Sequence, residues 1–273
     1  MFSWLHSYNP SPILFDFGFV QVHWYGLLML VSILGSFFVL LKKAEVFSLN
    51  RNQIWDLLFW LVVGGILGAR IYEVLLVEPT FYFSHPGQMV KVWQGGLAIH
   101  GAWLGGLIVL WFFSKKWKIS LWKLTDAITF VLPLGQAIGR WGNYFNQELY
   151  GLPTNLPWGI PIAVDNRLSE YVQFTHFHPT FLYESIGALL IFILLFWFLK
   201  QKRFTGQITL VYLGLYSASP RLSTCNKIRP FNLWINFLSP NSPFLVGILA
   251  KSRLVIPNPN ERMILNASSP SRR

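Results

Sequence analysis

Arg140 is the residue whose chemistry is hardest to explain as structural support alone. It lies in the run GRWGNYFNQELYG, residues 139–151, which combines three glycines with several polar side chains. A guanidinium stays charged and its planar fork binds two phosphate oxygens, while Asn143 and Asn146 supply neutral hydrogen-bond donors. A histidine side chain can move a proton near neutral pH, so His100 is a candidate general base. These residue types predict a site for an anionic phosphate ester.

The sequence offers no enzyme nucleophile and no metal or nucleotide motif. No Ser, Thr or Cys stands out beside a base, no His-Glu-x-x-His spacing occurs, and no glycine-rich phosphate loop with its lysine is present. Cys225 is the only cysteine, so an intramolecular disulfide and a cysteine zinc cluster are excluded. We therefore expect no cofactor and no metal, and a site that binds two substrates and lets one attack the other.

The composition predicts an all-α integral membrane protein, a polytopic helical bundle. Of the 273 residues, 53% are hydrophobic and only 12% are charged, whereas soluble domains average about 25% charged residues. The net charge of +11 does not indicate nucleic-acid binding, because Lys and Arg sit in short clusters between long apolar runs. The low charged fraction therefore argues against a soluble domain, and the clustered Lys and Arg argue against a nucleic-acid-binding protein.

Six apolar stretches predict membrane-spanning helices, since a spanning helix needs about 20 mostly apolar residues. They cover residues 19–41, 55–77, 97–113, 121–139, 180–199 and, shorter than the rest, 207–218. The second and third stretches contain closely spaced glycines, namely Gly64, Gly65, Gly68, Gly101, Gly105 and Gly106. Small residues at this spacing predict that the two helix backbones approach closely.

The distribution of Lys and Arg predicts the topology, because cytoplasmic loops are enriched in both. The first loop carries Lys42 and Lys43, the third carries Lys115 and Lys116, and the fifth is also basic, whereas the second and fourth are not. We therefore expect the odd loops in the cytoplasm and the N-terminus on the outer face of the membrane. The long fourth loop, 141–179, is then a small head domain on the outer face.

Polar residues gather at the outer ends of these stretches. Ionisable groups inside a membrane are costly and by default indicate function. The set comprises His23, Trp24 and Tyr25; Arg70 and Glu73; Gln94 and His100; Gln136, Arg140, Asn143 and Asn146; and His176, His178, Tyr183 and Glu184. Taken alone, residues 23–25 also fit an interfacial aromatic belt, and His100 also fits an interhelical hydrogen bond. Together they predict one site near the outer headgroup boundary.

Four charged residues within the stretches have simpler structural roles. Arg70 and Glu73 are one helical turn apart, which predicts an ion pair. Asp56 and Asp126 lie near the cytoplasmic ends of their stretches, which predicts helix caps or helix–helix contacts.

Four segments resemble signature sequences of the bacterial phosphatidylglycerol–prolipoprotein diacylglyceryl transferases. They are HWYG at 23–26, QGGLAIHGAWLGG at 94–106, GRWGNYFNQELYG at 139–151 and HPTFLYE at 178–184, in the family's order and spacing. The resemblance covers about residues 11–216, and the Gly-Arg-x-Gly-Asn run is its most specific part.

The resemblance implies a seven-span inner-membrane enzyme with a periplasmic head. Such enzymes catalyse the first step of bacterial lipoprotein maturation. They move the diacylglyceryl group of phosphatidylglycerol to the lipobox cysteine thiol of a prolipoprotein and release glycerol-1-phosphate. The implied partners are phosphatidylglycerol, prolipoprotein lipobox peptides and membrane lipid, with no nucleic acid.

The resemblance also implies roles for single residues. Arg140, His100 and Tyr25 match the family's catalytic arginine, histidine and tyrosine. The positions that bind phosphatidylglycerol are occupied by Arg140, Asn143, Asn146, Glu148 and Gly151, and we add His23, Arg70, Tyr183 and Glu184 as supporting residues. The attacking nucleophile is then the substrate's own cysteine, which explains why the chain offers none.

Residues 219–273 differ from the catalytic domain predicted over 1–218. The final 53 residues carry eight Lys and Arg against one acidic residue, and prolines recur through them. The resemblance would require a second arginine motif and a seventh span here, and we find neither. A shifted reading frame that yields an inactive copy would explain this basic tail, as would a genuine variant whose tail has an unrelated role.

A transporter or binder of anionic phospholipid without chemistry is the rival function. Such proteins combine inverted repeats with broken helices that meet at mid-membrane. The polar residues here gather at the outer boundary instead, which favours the enzyme.

Overall fold

The computed structural model describes residues 3–18 and 21–218, and this part of the chain is mostly helical. Its α-helices are α1 (Ser3–Ser7), α2 (Trp24–Lys42), α3 (Arg51–Tyr72), α4 (Pro79–Ser84), α5 (Ile99–Trp117), α6 (Leu121–Phe145), α7 (Thr180–Phe198) and α8 (Gln207–Ala218). Two antiparallel strand pairs accompany them, β1 (Ile13–Asp16) with β2 (Gln21–His23) and β3 (Ile160–Pro161) with β4 (His176–Phe177). The predictions for the tail, 219–273, lie outside the described residues.

Each of the six predicted stretches contains a helix. Within the described residues, three helical segments are long and apolar enough to cross a membrane, Trp24–Lys42, Arg51–Val77 and Thr180–Gln201, with mean hydropathies of 2.1, 1.7 and 2.2. This confirms the helical, membrane-protein character of the fold. The number of spans stays a prediction.

Several helix boundaries differ from the predicted ones, and two of them bear on the polar residues. Helix α3 begins at Arg51, four residues early, because Asn50 and Gln53 form a capping box in which each side chain accepts a hydrogen bond from the other residue's backbone N–H. The prediction for Asp56 is therefore wrong, since Asn50 supplies the cap and Asp56 lies exposed within the helix. Helix α6 continues to Phe145, which places Arg140 and Asn143 on a helix.

Helices α3 and α5 pack with their backbones in contact, as the glycine spacing predicts. A Cβ added at Gly68 would lie 2.9 Å from the Gly105 Cα, and one added at Gly101 would lie 2.8 Å from the Ala69 Cα. A Cβ at Gly65 would meet nothing within 4 Å. Gly68, Gly101 and Gly105 thus form the close crossing, and Gly65 takes no part in it.

The buried apolar core lies at one end of the bundle. Helix α6 packs against α2, α7 and α8, and the core draws on the last turns of α2, α5 and α7 and the first turns of α3, α6 and α8. Leu40, Phe113, Leu124, Leu195 and Ile208 are each at most 5% exposed. Apolar side chains therefore close one end of the helices, while the opposite ends carry the polar residues.

Asp126 stabilises this closed end, as its predicted capping role requires. Its carboxylate accepts hydrogen bonds from the backbone N–H groups of Gly206 and Thr209, at 2.7 and 2.9 Å, and from the Thr209 hydroxyl at 2.9 Å. Lys202 completes an ion pair with it at 2.9 Å. The fully buried carboxylate of α6 thus caps the N-terminus of α8, a contact between helices rather than within one.

The segment between α6 and α7 packs against the N-terminal arm, which is the described part of the chain before α2. Its small core joins Leu5 of α1 to Tyr150, Ile160, Ile162 and Phe177. The His6 and His176 rings stack with centroids 4.0 Å apart. Farther along the arm, the Gly18 N–H and the Gln21 side-chain amide donate to the Asp16 carboxylate at 2.8 and 3.0 Å, which lowers its pKa and closes the β1–β2 turn.

Candidate functional site

Arg140 is held by an acidic residue from the neighbouring helix. Its Nε lies 2.7 Å from the Glu184 carboxylate on α7, and its Nη1 lies 3.4 Å from the Asn143 side-chain oxygen on α6. Among the described residues, Nη2 has no protein partner. The side chain is 30% exposed, so a fixed guanidinium presents its open edge to the space at this end of the helices.

Asn143, Asn146 and Glu148 extend this contact into a network. The Asn143 side-chain amide donates to the Glu148 carboxylate at 2.8 Å, and the Asn146 amide approaches the same oxygen at 3.4 Å. Asn143 is buried, whereas Glu148 is exposed. The chain of contacts from Glu184 to Glu148 brings together four of the five predicted substrate-binding residues.

Tyr25 reaches the same network because α2 and α6 pack closely at Gly142. A Cβ at Gly142 would lie 2.7 Å from the Tyr25 ring, so glycine at this position is what admits the ring. Trp24 stacks on Phe145, with ring centroids 4.5 Å apart. The Tyr25 ring therefore lies beside the turn of α6 that carries Asn143. Three helix ends, from α2, α6 and α7, thus converge at the predicted site.

The segment that follows α6 is tied to the start of α7. The Gly151 N–H donates to the His178 carbonyl at 2.9 Å, and the His178 N–H donates to Leu152 at 3.0 Å. The Thr180 hydroxyl donates to the Leu149 carbonyl. A Cβ at Gly151 would lie 2.8 Å from the His178 Cβ. These contacts hold Glu148, and they explain Gly151 as a close approach between two chain segments.

Two residues beside Glu148 have left-handed backbone conformations. Gln147 has φ 52° and Leu149 has φ 54°, values that cost energy for residues other than glycine and that cluster at functional sites. Buried Gln147 compensates with hydrogen bonds to Asn9 at 3.0 Å, the Pro10 carbonyl at 2.8 Å and the Ala163 N–H at 2.6 Å. Gln147 therefore joins the N-terminal arm to the region around the site.

Tyr183 forms a second, smaller hydrogen-bonded group beside the network. Its hydroxyl accepts from the Trp158 indole N–H at 2.9 Å and lies 3.3 Å from Nδ1 of His178. Tyr183 and Glu184 are neighbours on α7, so this group helps to orient the first turn that carries Glu184.

Arg70 does not form the predicted ion pair with Glu73. Its buried guanidinium instead donates to backbone carbonyls of the segment that precedes α5, including Met89 at 2.9 Å and Gly95 and Gly96 at 2.7 Å each. The Tyr82 hydroxyl, 3.2 Å away, is a further acceptor. The prediction was wrong because helical spacing reports only neighbours on one helix, whereas the chain folds a loop over the end of α3.

His100 and His23 lie outside the hydrogen-bonded network. His100 is exposed in the first turn of α5 and stacks on Tyr72 of α3 with centroids 5.9 Å apart. His23 is exposed at the end of β2. In the described ranges, no hydrogen bond or ion pair connects either ring to Arg140. The polar helix ends thus form two groups, one around Arg140 and one around Arg70 and His100.

Sequence reasoning missed Gln147 and Trp158. Gln147 sits within the 139–151 segment but resembles any surface amide, and its partners lie 16 to 138 residues away in the chain. Trp158 resembles one more interfacial aromatic residue. No local signal distinguishes either side chain.

The arrangement suits recognition of a phosphate beside a carboxylate-rich surface. One guanidinium faces two carboxylates, Glu148 and Glu184, so Arg140 is oriented but its surroundings are not cationic. Glu184 occupies Nε, which leaves the Nη1–Nη2 edge for two phosphate oxygens. The residues of this network include no Ser, Thr or Cys. That one substrate attacks the other stays a prediction.

Comparison with known proteins identifies a family that this chain matches. The family model described as "Prolipoprotein diacylglyceryl transferase" matches residues 12–233. A Synechococcus elongatus protein named phosphatidylglycerol–prolipoprotein diacylglyceryl transferase is 43% identical over 253 residues, which cover 90% of this chain and 83% of the relative. A Nostoc protein of the same name is 42% identical over 90% of this chain and 84% of its own length.

A third relative comes from Thermotoga maritima. A Thermotoga maritima protein of the same name is 43% identical over 210 residues, covering 76% of this chain and 71% of the relative. The alignments with the Synechococcus and Nostoc proteins cover more of this chain, and the family match itself continues past residue 218 to residue 233.

Proposed function

This chain belongs to the prolipoprotein diacylglyceryl transferase family, and we propose that it transfers the diacylglyceryl group of phosphatidylglycerol to the lipobox cysteine thiol of a prolipoprotein. One observation supports the site most strongly: Glu184 fixes the Arg140 guanidinium through Nε, and Nη2 has no partner among the described residues. A fixed guanidinium with an open edge is the group that a phosphodiester headgroup requires.

The phosphate of phosphatidylglycerol binds at the Nη1–Nη2 edge of Arg140. Asn143 orients the arginine, and Asn146 orients the glycerol of the headgroup. The Tyr25 ring forms the wall of the headgroup site on the α2 side. As the reaction proceeds, the bond between the diacylglyceryl carbon and the phosphate oxygen breaks and its electron pair moves to that oxygen. A positive group already in place stabilises this charge without reorganisation.

The cysteine sulfur of the prolipoprotein forms the new bond. A free thiol has a pKa of about 8.5 and attacks as thiolate, so a base accelerates the reaction at neutral pH. His100 accepts the thiol proton, the C–S bond forms and glycerol phosphate leaves. Since His100 stands on the α3–α5 pair, the peptide lies between that pair and the Arg140 network.

The carboxylates around Arg140 restrict how the phosphate binds. Glu148 and Glu184 together outweigh the charge of the single arginine, so the phosphate binds through direct hydrogen bonds to the guanidinium and not through the net charge of the site. The second arginine motif that the family resemblance implies is not found in the sequence of residues 219–273. We propose that Glu184 has an orienting role and that Glu148 binds the glycerol hydroxyls through hydrogen bonds.

The membrane arrangement follows the Lys and Arg distribution. We propose an inner-membrane protein with at least six spans, a periplasmic N-terminus and a periplasmic head over 141–179. The polar network then faces the periplasmic leaflet, where both the lipid headgroup and an exported prolipoprotein are accessible. The apolar core lies toward the cytoplasm.

The test is a transfer assay with the full chain in phosphatidylglycerol vesicles and a lipobox peptide. We expect a diacylglyceryl mass gain on the peptide cysteine together with release of glycerol phosphate. Arg140→Ala should abolish both, whereas Lys115→Ala, an exposed substitution at the end of α5, should leave them unchanged. Absence of transfer by the folded wild-type chain would overturn the proposed transferase function. Full activity of Arg140→Ala would overturn the proposed phosphate site at Arg140.

A further inference from the structure

A groove of about 1030 Å³ lies at the end of the helices opposite Arg140. The last turn of α2, the turn that leads into α3 and the side of α7 form its walls. Its volume is that of a large small-molecule site. The groove shares no lining residue with the network around Arg140, and the proposed reaction does not use it.

The rim of the groove is cationic. Lys42, Lys43 and Arg51 line it, and Lys200 lines a smaller pocket that shares Lys43 and Phe196 with it. The ion pairs of the described residues are Arg140–Glu184 and Lys202–Asp126, so none of these four cations is neutralised by a carboxylate of that part of the chain.

The wall of the groove is apolar and aromatic. Phe192 and Phe196 of α7 and Val39 of α2 line it. The Lys43 ammonium lies 4.8 Å from the centroid of the Phe196 ring, which places a positive charge where the apolar wall meets the rim. Glu45 also lines the groove and subtracts one charge, which leaves a positive rim above an apolar wall.

We propose that this groove binds an anionic phospholipid from the leaflet opposite the Arg140 end. The phosphate lies between Lys43, Arg51 and Lys200, and an acyl chain lies along Phe192 and Phe196. Charge complementarity carries the assignment, because a ligand with a negative head and an apolar tail matches both parts of the surface. Basic pockets between helices at a membrane surface bind such headgroups. The proposal needs the membrane arrangement but not the transfer reaction.

The test uses native mass spectrometry of the full chain in detergent, titrated with dioleoyl phosphatidic acid. The triple variant Lys43→Gln, Arg51→Gln, Lys200→Gln should bind one lipid fewer, or bind it at least about tenfold more weakly. The matched control removes three charges from another loop on the same side, by Lys115→Gln, Lys116→Gln and Lys118→Gln, and should retain the lipid. Equal losses in both variants would overturn the proposal.

Further variants and one competitor test the cationic rim and the apolar wall of the groove separately. The pair Lys43→Arg, Lys200→Arg keeps the charge and should retain the lipid, whereas Phe196→Ala removes the apolar wall and should weaken its binding. In an Arg140→Ala background the same lipid should still bind, and loss there would assign it to the Arg140 network. Glycerol phosphate without acyl chains should not displace it, and displacement would indicate a phosphate site rather than a lipid site.

Discussion

The Glu184 carboxylate on α7 lies 2.7 Å from Nε of Arg140 on α6, and the two side chains are similarly exposed, at 32% and 30%. The contact joins two helices at the polar end of the bundle and leaves the outer edge of the guanidinium open. Glu184 therefore determines the direction in which Arg140 faces, and the two residues are expected to act as one unit in transfer.

Arg140→Lys keeps the positive charge but removes the planar fork and the contact through Nε. We expect turnover to fall by on the order of 10²–10³-fold, as when an oriented donor is removed from a developing negative charge. The measurement is the rate of diacylglyceryl transfer at saturating phosphatidylglycerol. Near-normal turnover would contradict the two-oxygen binding mode, and Arg51→Lys at the other end of the helices is the matched control.

Glu184→Gln separates the orienting role of the carboxylate from its charge. The amide oxygen can still accept a hydrogen bond from Nε of Arg140, and removal of a negative charge makes the site more attractive to phosphate. We expect the KM for phosphatidylglycerol to stay level or fall while kcat falls, because the arginine is less firmly held. Glu184→Ala should lower kcat further. A rise in KM without loss of kcat would indicate that Glu184 contacts the substrate directly.

His100→Gln tests the base through the pH profile. Without the proposed base, the rate follows the thiolate fraction of the peptide cysteine, whose free pKa is about 8.5. The variant should therefore be slower than the wild type at neutral pH, and the difference should shrink as the pH rises toward about 9. An unchanged rate and profile would leave His100 a structural partner of Tyr72, whose ring it stacks on.

Arg70→Met tests the loop that precedes α5. The substitution keeps side-chain bulk but removes the donor to carbonyls of residues 88–96, and each buried polar group left unpaired costs about 1–3 kcal/mol. We expect a lower melting temperature in detergent and faster chymotrypsin cleavage at Trp93. Arg167→Met is a useful comparison, because Arg167 donates to only two carbonyls, those of Ile162 and Val172. A larger effect at Arg167 would contradict this assignment.

Gly68→Ala tests the close crossing of α3 and α5. The added Cβ would lie 2.9 Å from the Gly105 Cα, and overpacking of this kind costs about 1–3 kcal/mol. Gly65→Ala, on the same helix, places its Cβ where nothing lies within 4 Å. We expect a lower melting temperature for the first variant and no decrease for the second, and equal melting temperatures would contradict the crossing.

Much of the helical framework could be predicted from the sequence, because it depends on local patterns. Each of the six apolar stretches contains a helix, and the glycine spacing correctly indicated the contact between α3 and α5 through Gly68, Gly101 and Gly105. Alternating helix directions and polar residues at the helix ends were enough to group Tyr25 and Glu184 with Arg140. Helix formation and amphipathicity arise from residues a few positions apart, which the sequence contains in full.

The partners of the buried polar groups depended on the tertiary structure. Arg70 was expected to pair with Glu73 on its own helix and instead binds carbonyls 18 to 26 residues further along the chain. Asp126 was expected to be a cap, but only the fold reveals that the helix it caps is α8, 80 residues away. Gln147 gave no signal at all. A hydrogen-bond partner is determined by where the chain returns in space, and a local pattern does not contain that path.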